Sequence, residues 1–166
     1  MNFLNTIPFD TMLWLVPLSF MFHNMEEAPL MANWVDRLPV KVKLIESKRQ
    51  FMIAVIILTL IGFLLTWFGL KSMAKHTGHM LILSMLMTMA FNVFFPHLLL
   101  AVRFRMYNPG LVTALLLILP FSIYLFLRAL NEDLITRNEF WLLLGLAPLI
   151  MVAAIFSSLK FAKLFS

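Results

Sequence analysis

Five apolar runs divide the chain, at residues 11–31, 51–70, 80–102, 110–130 and 140–159. Each holds about 20 mostly apolar residues, the length that carries an α-helix across a bilayer core. Between them lie short polar connectors: VDRLPVKVKLIESKRQ, KSMAKHTGH, RFRMYNP and NEDLITRNE. Helices of a soluble core do not repeat this length five times with nothing amphipathic between. The pattern predicts an all-α fold, a polytopic membrane helical bundle of about five transmembrane helices, forming one domain over residues 1–166. No internal repeat and no low-complexity segment interrupts it.

Composition agrees. Of 166 residues, 62% are hydrophobic and 13% charged, whereas a soluble domain is about half apolar and a quarter charged. The absence of cysteine excludes disulfides, thiolate nucleophiles and iron–sulfur centres. The formal charge of +5 does not point to nucleic acid, because the basic residues sit between apolar runs and not on one patch. No serine lies in a nucleophile motif, and no glycine-rich loop offers a phosphate cradle. The opening stretch MNFLNTIPFD has no Lys or Arg, so it lacks the basic start of a secretory signal, and the first apolar run is expected to be retained.

Charge then orients the bundle. Arg37, Lys41, Lys43, Lys48, Arg49, Arg103, Arg105, Lys160 and Lys163 fall on one side, and Lys71, Lys75, Arg128 and Arg137 on the other. Basic residues in short loops favour the cytoplasm, which predicts an external N-terminus and a cytoplasmic C-terminus.

Polar side chains inside the runs carry the candidate chemistry. In FHNMEEAPL, His23, Glu26 and Glu27 stand at i, i+3 and i+4, on one helical face. Asn92 and His97 lie in the third run. Runs one and three cross in the same direction, and both polar sets lie about 12 to 17 residues in, at nearly one depth given 1.5 Å per residue. Asn92 and His97 are about 140° apart on an ideal helix. They share a face only if the helix distorts, and Pro96 removes the hydrogen bond to the Asn92 carbonyl.

Two carboxylates about 5 Å apart repel by about 3 kcal/mol at an effective dielectric near 20, and desolvation adds to that. A cation, a proton, or a basic partner such as His23, His97 or Arg103 relieves the repulsion. His23, Glu26, Glu27, Asn92 and His97 form a mixed nitrogen and oxygen donor set that suits a divalent metal ion: zinc, manganese or iron. Glu26 and Glu27 are the candidate catalytic bases. The competing structural reading is a polar network that joins helices.

Lesser features have plain explanations. In YNPG, Pro109 and Gly110 suit a turn or helix start, with Asn108 as a cap. This stretch falls on the same membrane side as the polar set, so Tyr107 or Thr113 would line the mouth of a site. His76 and His79 read as loop histidines. The methionines read as adaptable filler. Pro17, Pro120 and Pro148 lie inside runs, where interrupted helices can mark a cavity.

HNMEE matches the pattern His-x-x-Glu-Glu. With Asn92, His97 and YNPG, the chain resembles the HXXEE domain family of small bacterial integral membrane proteins. The resemblance implies a multi-helix domain in the bacterial plasma (inner) membrane. It singles out His23, Glu26 and Glu27, and it implies no particular activity.

The expected function is a metal-dependent enzyme acting on a lipid or isoprenoid-like substrate, with membrane lipids as its surroundings and no nucleic acid partner. Three alternatives stay open: a proton- or ion-coupled transporter, which at this size needs a homo-oligomer; a metal-free acid–base isomerase; and an accessory membrane subunit.

Overall fold

The computed structural model describes residues 6–39 and 45–166. Lys41 and Lys43, used above for orientation, lie outside the described residues. All regular structure among the described residues is helical, so the chain is an all-α polytopic helical bundle.

Proline divides the first apolar run. Pro8 leads into α1 (Phe9–Leu13), and α2 spans Leu15–Glu27. Pro17 has no N–H to return to the Leu13 carbonyl, which accounts for the interruption between α1 and α2. Pro29 follows the end of α2, and a short α3 (Met31–Asp36) turns along the basic side. With 13 residues, α2 is about 20 Å long, short of a full crossing.

The remaining runs give four helices long and apolar enough to cross a membrane: Lys48–Ser72, Lys75–Phe104, Leu111–Asn131 and Arg137–Phe165. Four rather than five thus meet that requirement among the described residues, because the proline-broken first run does not.

The first of the four is α4 (Lys48–Ser72), whose N-terminus is capped by Ser47, its hydroxyl accepting from the Gln50 N–H at 3.0 Å. It meets α5 (Lys75–Asn92) at a glycine crossing. A Cβ at Gly78 would stand 2.0 Å from the Gly69 carbonyl oxygen, so the two backbones touch as small residues allow in membranes. After α5 the chain kinks within Val93–Leu98, where Phe95 leaves helical geometry, and continues as α6 (Leu99–Phe104). It returns through Tyr107–Gly110 into α7 (Leu111–Thr113), a π turn at Ala114–Ile118, and α8 (Leu119–Asn131).

Each irregularity involves a proline, Pro96 within the kink and Pro120 just after the π turn. Pro96 frees the Asn92 carbonyl and Pro120 the Leu116 carbonyl. The last long helix, α9 (Arg137–Ala162), starts with a capping box between Thr136 and Glu139 and runs through Pro148 without a break.

Two apolar cores hold the bundle. The larger is built around Leu13, Val16, Ile82, Leu83, Leu86, Val93, Ile118 and Leu125. The smaller joins Met31, Trp34, Phe51, Val55 and Leu159 near the basic side. Polar pins add to them: the Asn24 amide donates to Thr59 Oγ1 at 2.7 Å, and the Gln50 amide to the Leu159 carbonyl at 3.1 Å. Such bonds fix helix positions where lipid removes most of the hydrophobic drive for helix pairing. Leu64, Trp67, Leu116 and Leu149 face outward, as a lipid-embedded surface requires.

Candidate functional site

Helix α2 presents His23 and Glu27 one turn apart, on the face turned toward the larger core. His97 arrives from the other direction. At Phe95 the backbone leaves helical geometry (φ −134°, ψ 111°), and the chain beyond it carries His97 inward. Both imidazoles are 1% exposed, and the Glu27 side chain is 13% exposed. The two rings meet edge to face, with centroids 4.8 Å apart.

Their outer nitrogens converge. His23 Nε2 lies 3.8 Å and His97 Nε2 4.0 Å from the Glu27 carboxylate. One atom from each of the three lies within 4.8 Å of the other two. Both Nε2 atoms are buried without a hydrogen-bond partner among the described residues. An unpaired buried polar atom is costly, and here two of them face one carboxylate.

The returning segment orients the rings from behind. Asn108 Oδ1 lies 3.0 Å from His97 Nδ1, and Thr113 Oγ1 lies 3.0 Å from His23 Nδ1. Gly110 sits between them at φ +86°. A Cβ there would stand 2.7 Å from His23 Cε1 and 2.9 Å from His97 Cε1. Both the left-handed backbone and the two rings therefore demand glycine.

Glu26 points elsewhere. Its carboxylate accepts from the Tyr107 hydroxyl, from Val112 N at 3.2 Å, and from Thr113 N and Oγ1 at 2.7 and 2.6 Å. Gly110, at the cap position of α7, has no side chain to satisfy the free N–H groups of that helix start. A carboxylate from α2 supplies the acceptors instead. The Tyr107 phenol, in the connector, is pushed up to about 12, first by burial and then by the Glu26 carboxylate beside it; it stays a neutral donor.

Of the residues singled out by sequence, His23, Glu27 and His97 thus come together directly. Glu26 adjoins them but clamps α7. Asn92 is half-buried at the end of α5, and among the described residues no hydrogen bond ties it to the other four. Arg103 is exposed, its guanidinium 5.7 Å from the Phe104 ring centroid. The amide at the site belongs to Asn108, which sequence reasoning placed as a helix cap. Its signal was the YNPG motif itself, lying on the same membrane side as HNMEE. His76 and His79 are helical rather than loop residues: His79 Nε2 lies 2.7 Å from Asp10 Oδ1, and His76 Nε2 lies 2.8 Å from Glu139 Oε1. They tie α5 to α1 and to α9.

The trio suits a metal ion by chemistry, and its ligand atoms stand wider apart than a bound ion would hold them. Bonds of about 2.0–2.2 Å in a tetrahedral site put ligand atoms about 3.4 Å apart. One atom from each residue lies within 4.8 Å of the other two, so closing on an ion needs a contraction of up to about 1.4 Å. Two imidazoles and one carboxylate leave a coordination position open, which is the donor set of catalytic zinc and of non-haem iron. The Nδ1 atoms of both rings already have partners, an arrangement that ligating histidines usually show.

Comparison with known sequences follows the same residues. The family described as "Protein of unknown function with HXXEE motif" matches residues 14–125. The "Uncharacterized protein YrkK" of Bacillus subtilis (strain 168) is 29% identical over 133 residues, covering 80% of this chain and 84% of that protein. No solved structure matches. With the match extending over most of the chain and enclosing every residue of the site just described, the chain belongs to the HXXEE family.

Proposed function

We propose that this protein is a membrane-embedded metal-dependent enzyme. In this reading His23 Nε2, His97 Nε2 and the Glu27 carboxylate hold one divalent ion, zinc, manganese or iron. The observation that carries the reading is the convergence of two buried, unpartnered imidazole nitrogens on one carboxylate. When bound, such an ion supplies Lewis acidity toward an oxygen of a substrate or of water.

The chain's own groups have distinct parts. The imidazoles present lone pairs in fixed directions, and Glu27 offsets the positive charge. Glu27 is also the most accessible of the three, so a substrate approaches past it. Phe22, Met25, Phe94 and Phe95 are exposed nearby in the chain and give an apolar approach, which favours a lipid or isoprenoid-like substrate whose tail stays in the bilayer. The relative in Bacillus subtilis supports a bacterial plasma membrane location, and the charge distribution favours an N-terminus outside with the site toward the cytoplasmic face.

The test is metal content. Untagged protein in mild detergent is compared with a Glu27→Gln, His97→Ala double variant. About one ion per chain in the wild type, lost in the variant, is the expected result. No metal in either protein, even after soaking with zinc, manganese and iron(II) salts, overturns the proposal and moves proton-linked transport or metal-free isomerisation ahead.

A further inference from the structure

We infer that Glu26 is a positioning residue, which acts through the Thr113 hydroxyl to place the proton of His23 on Nδ1 and leave Nε2 bare. The inference depends on the metal reading for its purpose, but the proton arrangement stands on hydrogen bonding alone.

One hydroxyl decides where the proton sits. Thr113 Oγ1 has a single proton to give and three polar neighbours. Glu26 Oε2 is 2.6 Å away, His23 Nδ1 3.0 Å and the Gly110 carbonyl oxygen 3.2 Å. Glu26 receives four donors, from Tyr107, Val112 and twice from Thr113. A carboxylate has about four acceptor sites, so Glu26 is filled as an ionised acceptor and has no proton to offer. The short bond to it is charge-assisted and takes the Thr113 proton.

Thr113 then offers His23 only a lone pair. For the 3.0 Å contact to be a hydrogen bond, Nδ1 must carry the hydrogen. A neutral imidazole has one N–H, which leaves Nε2 unprotonated and aimed at Glu27. The same logic holds across the site, where Asn108 Oδ1 faces His97 Nδ1. Two lone pairs and a carboxylate then confront one another, a donor set that suits a divalent cation.

Without Glu26 the outcome changes. The Thr113 proton would have only the 3.2 Å carbonyl to compete with His23, and Thr113 could donate to Nδ1. The His23 proton would move to Nε2 and occupy the ligand position. The second glutamate of the motif (Glu27) therefore faces the ion, and the first (Glu26) decides which nitrogen of His23 does.

The experiment reads tautomers directly. Histidine-labelled, metal-stripped protein in detergent micelles is examined by long-range proton–nitrogen correlation at mildly alkaline pH, where an imidazole is neutral. The chain has 4 histidines, assigned by single substitution. The expected result is the Nδ1–H form of His23 in the wild type and in Thr113→Ser, with Nε2–H appearing in Thr113→Val and Glu26→Ala. Cobalt(II) affinity, followed by its visible spectrum, should fall about tenfold or more in the latter two and hold in Thr113→Ser.

An Nε2–H His23 in the wild type overturns the inference, and this single spectrum decides even if a variant fails to fold. Unchanged tautomers in both Thr113→Val and Glu26→Ala also overturn it. The expected tautomers with no cobalt binding in any form support the relay and reject the metal reading, so the two claims fail separately.

Discussion

His97 Nδ1 lies 3.0 Å from the side-chain oxygen of Asn108, eleven residues further along the chain. The break at Phe95 and the return through Tyr107–Gly110 close this loop on itself. Asn108, and not Asn92, is therefore the amide on which the site depends. Asn108→Ala should lower metal affinity about tenfold or more, while Asn92→Ala should leave it within about threefold of the wild type, well inside that second-shell effect. Isothermal titration of both variants with zinc distinguishes the two asparagines. A larger loss in Asn92→Ala would reverse the assignment.

Gly110 is the tightest point of the site. Alanine there meets a left-handed backbone and two imidazole carbons at 2.7 and 2.9 Å. The backbone strain alone should cost about 1–2 kcal/mol, and the rings must shift away from Glu27. Gly110→Ala should lose metal affinity while circular dichroism still shows a helical bundle. Retained affinity would mean that the rings are not held where the structure places them.

Tyr107 offers a pH-dependent readout outside the spans. Its phenol moves from 10.0 to about 12 on folding. A group whose value rises holds its proton more tightly in the folded chain. Its contribution to stability is thus complete below 10 and is lost as pH climbs toward 12. Ultraviolet titration of phenolate should show a component near 12 that disappears in Tyr107→Phe. If the two titrations superimpose at high pH, the Tyr107–Glu26 bond is absent in solution. The three other donors to Glu26 should keep metal binding in Tyr107→Phe within about threefold, a loss smaller than that for removing a whole second-shell partner.

Two glycines separate packing from lipid exposure. Gly78→Ala drives a Cβ to 2.0 Å from the Gly69 carbonyl oxygen, whereas Gly145 has nothing within 4 Å of its added Cβ. The first should destabilise the bundle by about 1–3 kcal/mol. The second should be neutral or stabilise α9 by up to about 1 kcal/mol. Thermal unfolding in micelles checks both, and similar melting temperatures for the pair would contradict the crossing.

Much of this was legible in the sequence, for particular reasons. Length and hydropathy mark helices reliably, so the four long spans appear close to where the apolar runs lie. Helical spacing put His23 and Glu27 on one face, and Pro96 foretold the break that brings His97 to them. The first run misled because twenty apolar residues look like one span, while Pro17 and Pro29 leave a helix of only 13 residues, Leu15–Glu27. Spacing also could not separate Glu26 from Glu27. Adjacent residues sit about 100° apart on a helix, enough for one to face the histidines and the other the start of α7. Asn108 and Thr113 escaped as ring partners because their roles depend on how a later segment folds back, which no local pattern records.

Helix α9 lies outside the matched stretch, which ends at residue 125, and no residue of the site comes from it. Among the described residues, every group that touches or orients the imidazoles has therefore been synthesised once Thr113 leaves the ribosome. The site's parts precede α9, which packs against α4 and α5 as a buttress to a centre it does not build.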